Sequence, residues 1–254
     1  MVDISVIVPG VRPDRFKKLY TSLHNSTKRS FELIVCGPYY PPKEMEEIRN
    51  FKFVSDYGSP VRASNIAAEL ATGEYITWAA DDAVFTEGSL DEFITSFKSS
   101  GVHVLTCKYL EGKDEVIKKR QPDSYFMMNG SHWTACSMFP NDYPLFNVGI
   151  MKRSTFEDLG GWDCSYEGTF YSHADMAARA FMRGKEVGFC PGIFLLDCDH
   201  SQDDHKPIED AQTNYDMPMF KGKYGDTTSN LHPPSIPALK KWRDSPPVWE
   251  RRFG

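Results

Sequence analysis

The sequence predicts an α/β protein with a Rossmann-like, mainly parallel central sheet and helices on both of its faces. Two observations lead to this fold class. β-rich and amphipathic segments alternate through the first half of the chain, and 41% of the 254 residues are apolar. Alternating strands and helices are typical of parallel sheets, because each crossover connection lays a helix against the sheet. A chain of this length can bury one large core or two small ones.

Strand and helix signals follow one another in order as far as residue 79. Helix 13–24 is amphipathic, helix 42–50 begins with a proline, and helix 61–72 is followed by a glycine. These residues are ordinary start and stop signals of helices. The strands predicted between them are residues 4–9, 31–36, 52–55 and 75–79.

The pattern is looser in the second half. Ser89 and Glu92 have capping-box spacing at the start of a helix predicted over residues 89–99. Residues 111–144 lack periodicity and are expected to form an insertion or lid, with disorder as the alternative. The later predicted elements are strands 102–108, 147–151, 186–189 and 193–198 and helices 153–159 and 172–183.

Composition and charge exclude several classes of protein. The net charge of −6 argues against a nucleic-acid binder, and the sequence has no signal-peptide pattern and no segment that could span a bilayer. The six cysteines contain no CxxC pair, which favours free thiols over a zinc site or a disulfide framework. We therefore expect a soluble cytoplasmic protein.

The most informative segment is the aromatic strand after Gly73, which ends in the adjacent carboxylates Asp81 and Asp82. Hard cations such as Mn²⁺ and Mg²⁺ bind carboxylates together with substrate phosphates, so the pair is a candidate metal seat for a nucleotide diphosphate. The alternative is that the two acids only end a strand or open a turn. They are not needed as a helix cap, because the next helix has its own start signal at Ser89.

The ordered set of motifs resembles glycosyltransferase family 2 over residues 3–200. The matching segments are Ser5-Val-Ile-Val-Pro9, Arg62-Ala-Ser-Asn65, Ala71-Thr-Gly-Glu-Tyr-Ile76, the acidic pair, Leu159-Gly-Gly-Trp-Asp163 and Asp175-Met-Ala-Ala-Arg179. The resemblance implies a GT-A fold and inverting transfer of a sugar from a nucleotide diphosphate sugar. The chain departs from the family at Ala80, where the first acid of the usual Asp-x-Asp motif is missing, and at Cys36, where a polar residue that contacts the base is frequent.

The resemblance also implies which residues contact the donor and the metal. Asp82 and His200 match metal-ligand positions, for Mn²⁺ or Mg²⁺. The alternatives are a plain turn at Pro9-Gly10, a solvated helix start at Arg62 and Asn65, and a surface position for His200. The implied nucleotide-sugar contacts are Pro9, Gly10, Val11, Arg12, Cys36, Arg62, Asn65 and Asp81.

Catalytic and acceptor-binding residues follow from the same comparison. Asp175 matches the general base, and His173 is the second candidate because its ordinary pKa lies near neutrality. The alternative for Asp175 is a helix cap, because Ser172 precedes it at capping-box spacing. The expected acceptor contacts are Gly161, Trp162, Asp163 and Trp133, with core packing as the alternative for the two tryptophans.

The expected function is a single transfer from a donor, expected to be UDP-linked, to a hydroxyl of a glycan or other acceptor, because the Gln-x-x-Arg-Trp motif of processive synthases is absent. The alternatives are a degenerate GT-A domain that binds glycans or a protein, and a nucleotidyltransferase, whose Gly- and Arg-rich phosphate loop is missing. We expect one domain over residues 1–230, with halves at 1–108 and 109–230. A Pro-rich basic tail at 231–254 would cover the active site, bind a partner or touch an anionic membrane surface.

Overall fold

The computed structural model describes residues 2–111, 126–129, 147–196, 205–225 and 238–254. Within these residues, nine strands form a single sheet. The strands are β1 (Ile4–Pro9), β2 (Phe31–Gly37), β3 (Phe51–Ser55), β4 (Tyr75–Trp78), β5 (Ala83–Val84), β6 (Val104–Glu111), β7 (Phe126–Asn129), β8 (Gly149–Lys152) and β9 (Val187–Leu196).

The helices fall between the strands much as the sequence predicts. Helix 153–159 is confirmed, and helix 42–50 is shorter than expected. Helix α1 follows a 3-10 turn at Pro13–Arg15. The helices are α1 (Phe16–Ser26), α2 (Lys43–Glu46), α3 (Pro60–Glu69), α4 (Ser89–Ser100), α5 (Arg153–Leu159), α6 (Thr169–Met182), α7 (Lys206–Ala211), α8 (Met217–Tyr224) and α9 (Glu250–Phe253).

The strand order places the candidate site where the direction of winding reverses. The order is β3-β2-β1-β4-β8-β6-β9-β5, and β7 pairs with β6. Strands β3, β2, β1 and β4 are all parallel, whereas β8 runs antiparallel to both β4 and β6. The predicted parallel sheet is confirmed for the first half of the chain, and the second half is mixed. Because β1 has β2 on one side and β4 on the other, the β1/β4 boundary is the switch point where ligands bind in such sheets.

Two apolar clusters cover the two faces of the sheet, as predicted. On one face, α1 and α4 bury residues such as Phe16, Leu23 and Phe93 against β1, β2 and β6. On the other face, α3, α5, α6 and α8 pack around Trp78 and Trp162. The described residues contain no helix that is long and apolar enough to cross a membrane.

The two β-like runs predicted near the end of the sheet form one strand. In the pairing of β6 with β9, Cys107 lies opposite Cys190 and Lys108 lies opposite Ile193, so Pro191 and Gly192 form a bulge. Proline has no backbone N–H to donate to a ladder, and glycine tolerates the local bend. For this reason the sequence pattern predicts two separate strands where the structure has one bulged strand.

Residues 238–254 form a C-terminal strap that packs along the domain. Val248 pairs with Tyr57, and the backbone N–H of Trp249 donates to the carbonyl of Tyr57 at 2.8 Å. The indole of Trp242 donates to Glu69 of α3 at 2.7 Å. The part of the predicted tail that the structure describes is therefore bound to the body of the protein.

Candidate active site

The loop after β1 is wrapped around Asp81. Its backbone N–H groups at Val11 and Arg12 donate to one carboxylate oxygen at 2.7 and 2.8 Å, and Nε of Arg12 donates to the other oxygen at 2.8 Å. The Asp81 side chain is only 2% exposed. Because β1 and β4 are neighbouring parallel strands, their carboxyl ends bring two segments about 70 positions apart into contact.

Asp82 shares the same arginine. The Nη1 atom of Arg12 lies 3.1 Å from Oδ2 of Asp82, whose side chain is completely buried, whereas that of Arg12 is 17% exposed. One guanidinium thus bridges two buried carboxylates, and the three charged groups together carry a formal charge of −1. The contacts of the guanidinium with Asp81 are charge-assisted hydrogen bonds, which are among the stronger ones in proteins, and its contact with Asp82 is an ion pair.

Two glycines allow the ends of β1 and β2 to approach closely. A Cβ atom on Gly37 would lie 1.7 Å from the carbonyl oxygen of Gly10, so only glycine fits there. The N–H of Gly10 donates to the carbonyl of Cys36 at 2.9 Å. The Cys36 thiol is fully buried, and burial, with a smaller contribution from Asp56, raises its pKa to about 12. The Cys36 side chain is therefore a neutral core group, and the contact with the donor that is expected at this position stays a prediction.

The donor set at the acidic pair fits a divalent cation in its chemistry. Both carboxylates offer the hard oxygens that such ions prefer, and both already gather around a positive charge, the Arg12 guanidinium. Among the residues that the structure describes, no three metal-ligating side chains lie together. His200, the second predicted ligand, lies outside the described residues.

Arg62 and Asn65 contact other parts of the protein instead of the loop after β1. The guanidinium of Arg62 is paired with Asp56 at 3.0 Å and donates to the carbonyl of Ser245 in the C-terminal strap at 3.1 Å. Asn65 donates to the carbonyl of Trp162 at 2.9 Å. Arg62 is only 8% exposed, so the alternative of a solvated helix start is wrong for it. The donor contacts expected for Arg62 and Asn65 stay predictions.

The Gly160–Asp163 turn is supported from inside the protein. Asn65 accepts a hydrogen bond from the N–H of Trp162 at 3.1 Å. Gly161 has a φ of +76°, and a Cβ atom there would lie 2.6 Å from Oδ1 of Asn65. Trp162 is 2% exposed and packs edge-on against Phe156, with 4.7 Å between ring centroids. This geometry favours the core-packing alternative for Trp162; Trp133 lies outside the described residues.

Asp175 lies inside helix α6 and is fully buried. The helix begins at Thr169 after the N-cap Gly168, so the capping-box alternative is wrong. Arg179 donates to one carboxylate oxygen at 2.7 Å, and Lys223 and Tyr224 donate to the other at 2.6 Å each. These contacts are typical of a structural ion-pair network, whereas a general base must reach its substrate.

The network continues into the Gly160–Asp163 turn. Lys223 also binds Asp163 at 2.8 Å, and Arg179 donates to the carbonyl of Gly161 at 2.8 Å. Burial raises the pKa of Asp163, but the hydrogen bond from Lys223 and two backbone N–H groups outweigh it and hold the pKa below its usual value. Sequence reasoning missed Lys223, because nothing in its local sequence sets it apart from a surface lysine.

His173 is buried between two indoles. Its ring centroid lies 5.9 Å from those of Trp78 and Trp162. Burial lowers its pKa to about 3, so the imidazole is neutral near pH 7. Its Nδ1 atom has no hydrogen-bond partner among the described residues. The ring is therefore a weak base in this environment.

Comparisons with known proteins give structural likeness at low sequence identity. No family model and no curated protein matches the chain. S. aureus TarS (residues 1–349) has a TM-score of 0.58 at 12% identity, over 91% of this chain and 89% of that one. The same TarS fragment in complex with UDP scores 0.54 at 16% identity, over 78% of this chain and 59% of that one.

A mannosyltransferase gives a similar result. PcManGT from Pyrobaculum calidifontis, in complex with GDP-Man and Mn²⁺, has a TM-score of 0.60 at 17% identity, over 91% of this chain and 67% of that one. At sequence identities this low, the structural likeness shows a shared fold. The predicted fold class is confirmed, and the chain has the α/β fold of the GT-A glycosyltransferases.

Proposed function

We propose that this protein is a glycosyltransferase that moves one sugar from a nucleotide diphosphate sugar to an acceptor hydroxyl with inversion. The observation that carries the proposal is the buried acidic pair with its bridging arginine at the β1/β4 switch point. Ligands of parallel α/β sheets bind at this place. The resemblance to family 2 and the structural neighbours in complex with UDP or GDP-Man support the same function.

The donor would lie over the loop Pro9–Arg12, with UDP as the proposed nucleotide. Asp82 would hold a divalent cation, Mn²⁺ or Mg²⁺, together with His200. Such a cation would neutralise the charge that develops on the departing diphosphate. Asp81 has a positioning role in this scheme, because its contacts with the backbone at Val11 and Arg12 fix the loop's conformation.

Inversion needs one general base on the acceptor side. Asp175 and His173 remain our two predictions for it. The buried ion pairs of Asp175 favour a role in supporting the Gly160–Asp163 turn, and the lowered pKa of His173 makes it a weak base. The acceptor would lie beyond this turn, on the side of the acidic pair.

Titration calorimetry tests the donor site. UDP and GDP would be titrated with and without Mn²⁺ into the parent, Asp82→Asn, and the exposed control Asp14→Asn. We expect UDP binding that needs Mn²⁺, is lost in Asp82→Asn and is retained in Asp14→Asn. UDP-sugar hydrolysis, assayed by released UDP, should follow the same pattern. Absence of both nucleotide binding and hydrolysis in the folded parent would contradict the proposal.

Two observations favour a second candidate, a GT-A domain that binds glycans or a protein without catalysis. Arg12 already neutralises part of the charge of the acidic pair, and Ala80 stands where the resemblance expects another acid. Donor hydrolysis separates the two functions. A binding module would bind a glycan but release no UDP from any nucleotide sugar, and Asp82→Asn would leave glycan binding unchanged.

A further inference from the structure

We propose that Arg12 is a built-in counter-ion of the acidic pair, which competes with a divalent cation for Asp82 until its guanidinium is drawn away. This inference rests on the proposed function, because it concerns the regulation of the same site. It predicts that the parent binds a divalent cation weakly when no nucleotide is present.

The geometry of the three side chains is the first argument. The guanidinium uses Nε and Nη2 on Asp81 and Nη1 on Asp82, so its fork spans both carboxylates. A divalent ion bound to the Asp82 carboxylate would share it with a guanidinium whose Nη1 atom lies 3.1 Å from Oδ2. Two positive groups on one carboxylate repel each other, so the ion binds better when the guanidinium has left.

Charge balance is the second argument. With Arg12 in place the cluster has a formal charge of −1; with a divalent ion in its place the charge is zero. If both were present, three positive charges would face two carboxylates. Two oxygens of a diphosphate can accept a bidentate contact from the planar guanidinium, as the Asp81 carboxylate does. The donor phosphates can therefore bind the Arg12 guanidinium while the cation binds the Asp82 carboxylate.

The backbone allows this exchange without unfolding the loop. Asp81 holds the N–H groups of Val11 and Arg12 through Oδ2, while the arginine side chain contacts Oδ1. The side chain can therefore rotate away while the loop stays anchored by the two backbone hydrogen bonds. Arg12 is also the most exposed of the three charged groups, which leaves its guanidinium a route towards solvent.

The test measures Mn²⁺ binding alone, by the electron paramagnetic resonance signal of the free ion, with no nucleotide present. We expect Arg12→Met to bind Mn²⁺ at least about tenfold more tightly than the parent, because the competing charge is gone. The control Arg15→Met removes a positive charge three positions away and should stay within about twofold of the parent. Adding Asp82→Asn to Arg12→Met should abolish the gain.

A second variant protects the test against misfolding. Arg12→Lys keeps the charge but lacks the planar fork that spans both carboxylates, so its Mn²⁺ affinity should lie between those of the parent and Arg12→Met. Circular dichroism would show which variants fold. Affinity equal to or weaker than the parent's in a folded Arg12 variant would overturn the inference, and so would an equal gain in Arg15→Met.

Failure of this inference and failure of the proposed function give different results. If Arg12→Met gains Mn²⁺ affinity but the parent neither binds nor hydrolyses any nucleotide sugar, the role of Arg12 stands and the transferase proposal fails. If the parent hydrolyses a UDP-sugar with Mn²⁺ but Arg12→Met gains no affinity, only the counter-ion role fails.

Discussion

Replacing Lys223 with methionine removes the cation that joins Asp163 and Asp175. The ammonium group lies 2.8 Å from one carboxylate and 2.6 Å from the other, and both carboxylates are almost inaccessible to water. The four charges of the network, these two acids with Lys223 and Arg179, sum to zero in the parent and to −1 in the variant. Methionine fills a similar volume, so the main effect is electrostatic.

The size of the loss in stability depends on which hydrogen-bond partners each carboxylate retains. Removing one partner of a buried ion pair costs about 3–5 kcal/mol, because it leaves a charge without compensation. Asp163 keeps two backbone N–H donors, and Asp175 keeps Arg179 and Tyr224. We therefore expect the low end, about 3 kcal/mol in the free energy of unfolding. For a domain of this size that is a fall of about 6–12 °C in Tm.

Urea denaturation followed by circular dichroism, with calorimetry for Tm, would measure this change. The matched control is Lys185→Met, because Lys185 pairs with Asp158 at the same 2.6 Å but at the surface. Water screens that pair, so the control should stay close to the parent. Adding Asp163→Asn to Lys223→Met should recover part of the loss. If Lys223→Met is no less stable than Lys185→Met, the argument for a structural network is refuted.

Three further predictions follow from the same structure. Asp175→Asn should lower Tm by a similar amount, because it disturbs the same buried ion pairs. Loss of donor hydrolysis per folded molecule by much more than about tenfold would support Asp175 as the base, and hydrolysis within about tenfold of the parent would leave it a structural role alone. Burial raises the pKa of Asp216 to about 7, so its folded form keeps a proton that the unfolded chain loses above about pH 4. The stability that this group contributes is full below that pH and is lost as the pH rises to 7. Relative to the parent, the free energy of unfolding of Asp216→Asn in urea should therefore rise by up to about 1.4 kcal/mol per pH unit between pH 4 and 7. A difference between the two proteins that stays constant over this range would contradict the prediction. Trp249→Ala should cost about 3 kcal/mol and expose the C-terminal strap to limited proteolysis, because the buried indole also donates to Glu167 at 2.7 Å; unchanged cleavage would argue against anchoring by this residue.

Local signals predicted the elements whose ends are set by nearby residues. Helix α5 has the bounds expected from its sequence, because Gly160 adopts the left-handed conformation that ends it, with a φ of +86°. Helix α4 ends in the same way at Gly101. The start of α6 was predicted three residues too late. Ser172 has the spacing of a capping box, whereas Gly168, which is the N-cap in the structure, gives no capping signal in the sequence.

The residues of the site likewise divide into those that local sequence reveals and those whose role depends on distant partners. Asp81 and Asp82 are recognisable in the sequence, because two adjacent acids shortly after a buried aromatic strand offer the oxygen ligands that hard cations prefer. Lys223 cannot be recognised in the same way, because its structural role depends on contacts with Asp163 and Asp175, which are 60 and 48 positions away. The family resemblance implied a donor contact for Arg62, but nothing in the sequence indicated its contact with Ser245 of the strap, 183 positions away.

The sequence alone therefore determined the alternation of strands and helices, the fold class and the location of the acidic pair, since periodicity and turn chemistry act over a few residues. Tertiary structure decided which charges meet. It put Arg12 on both acids of the pair and enclosed Asp175 between Arg179 and Lys223. The physical reason is that a buried charge is stable only beside a partner of opposite sign, and strand order and helix packing bring such partners together from distant parts of the chain.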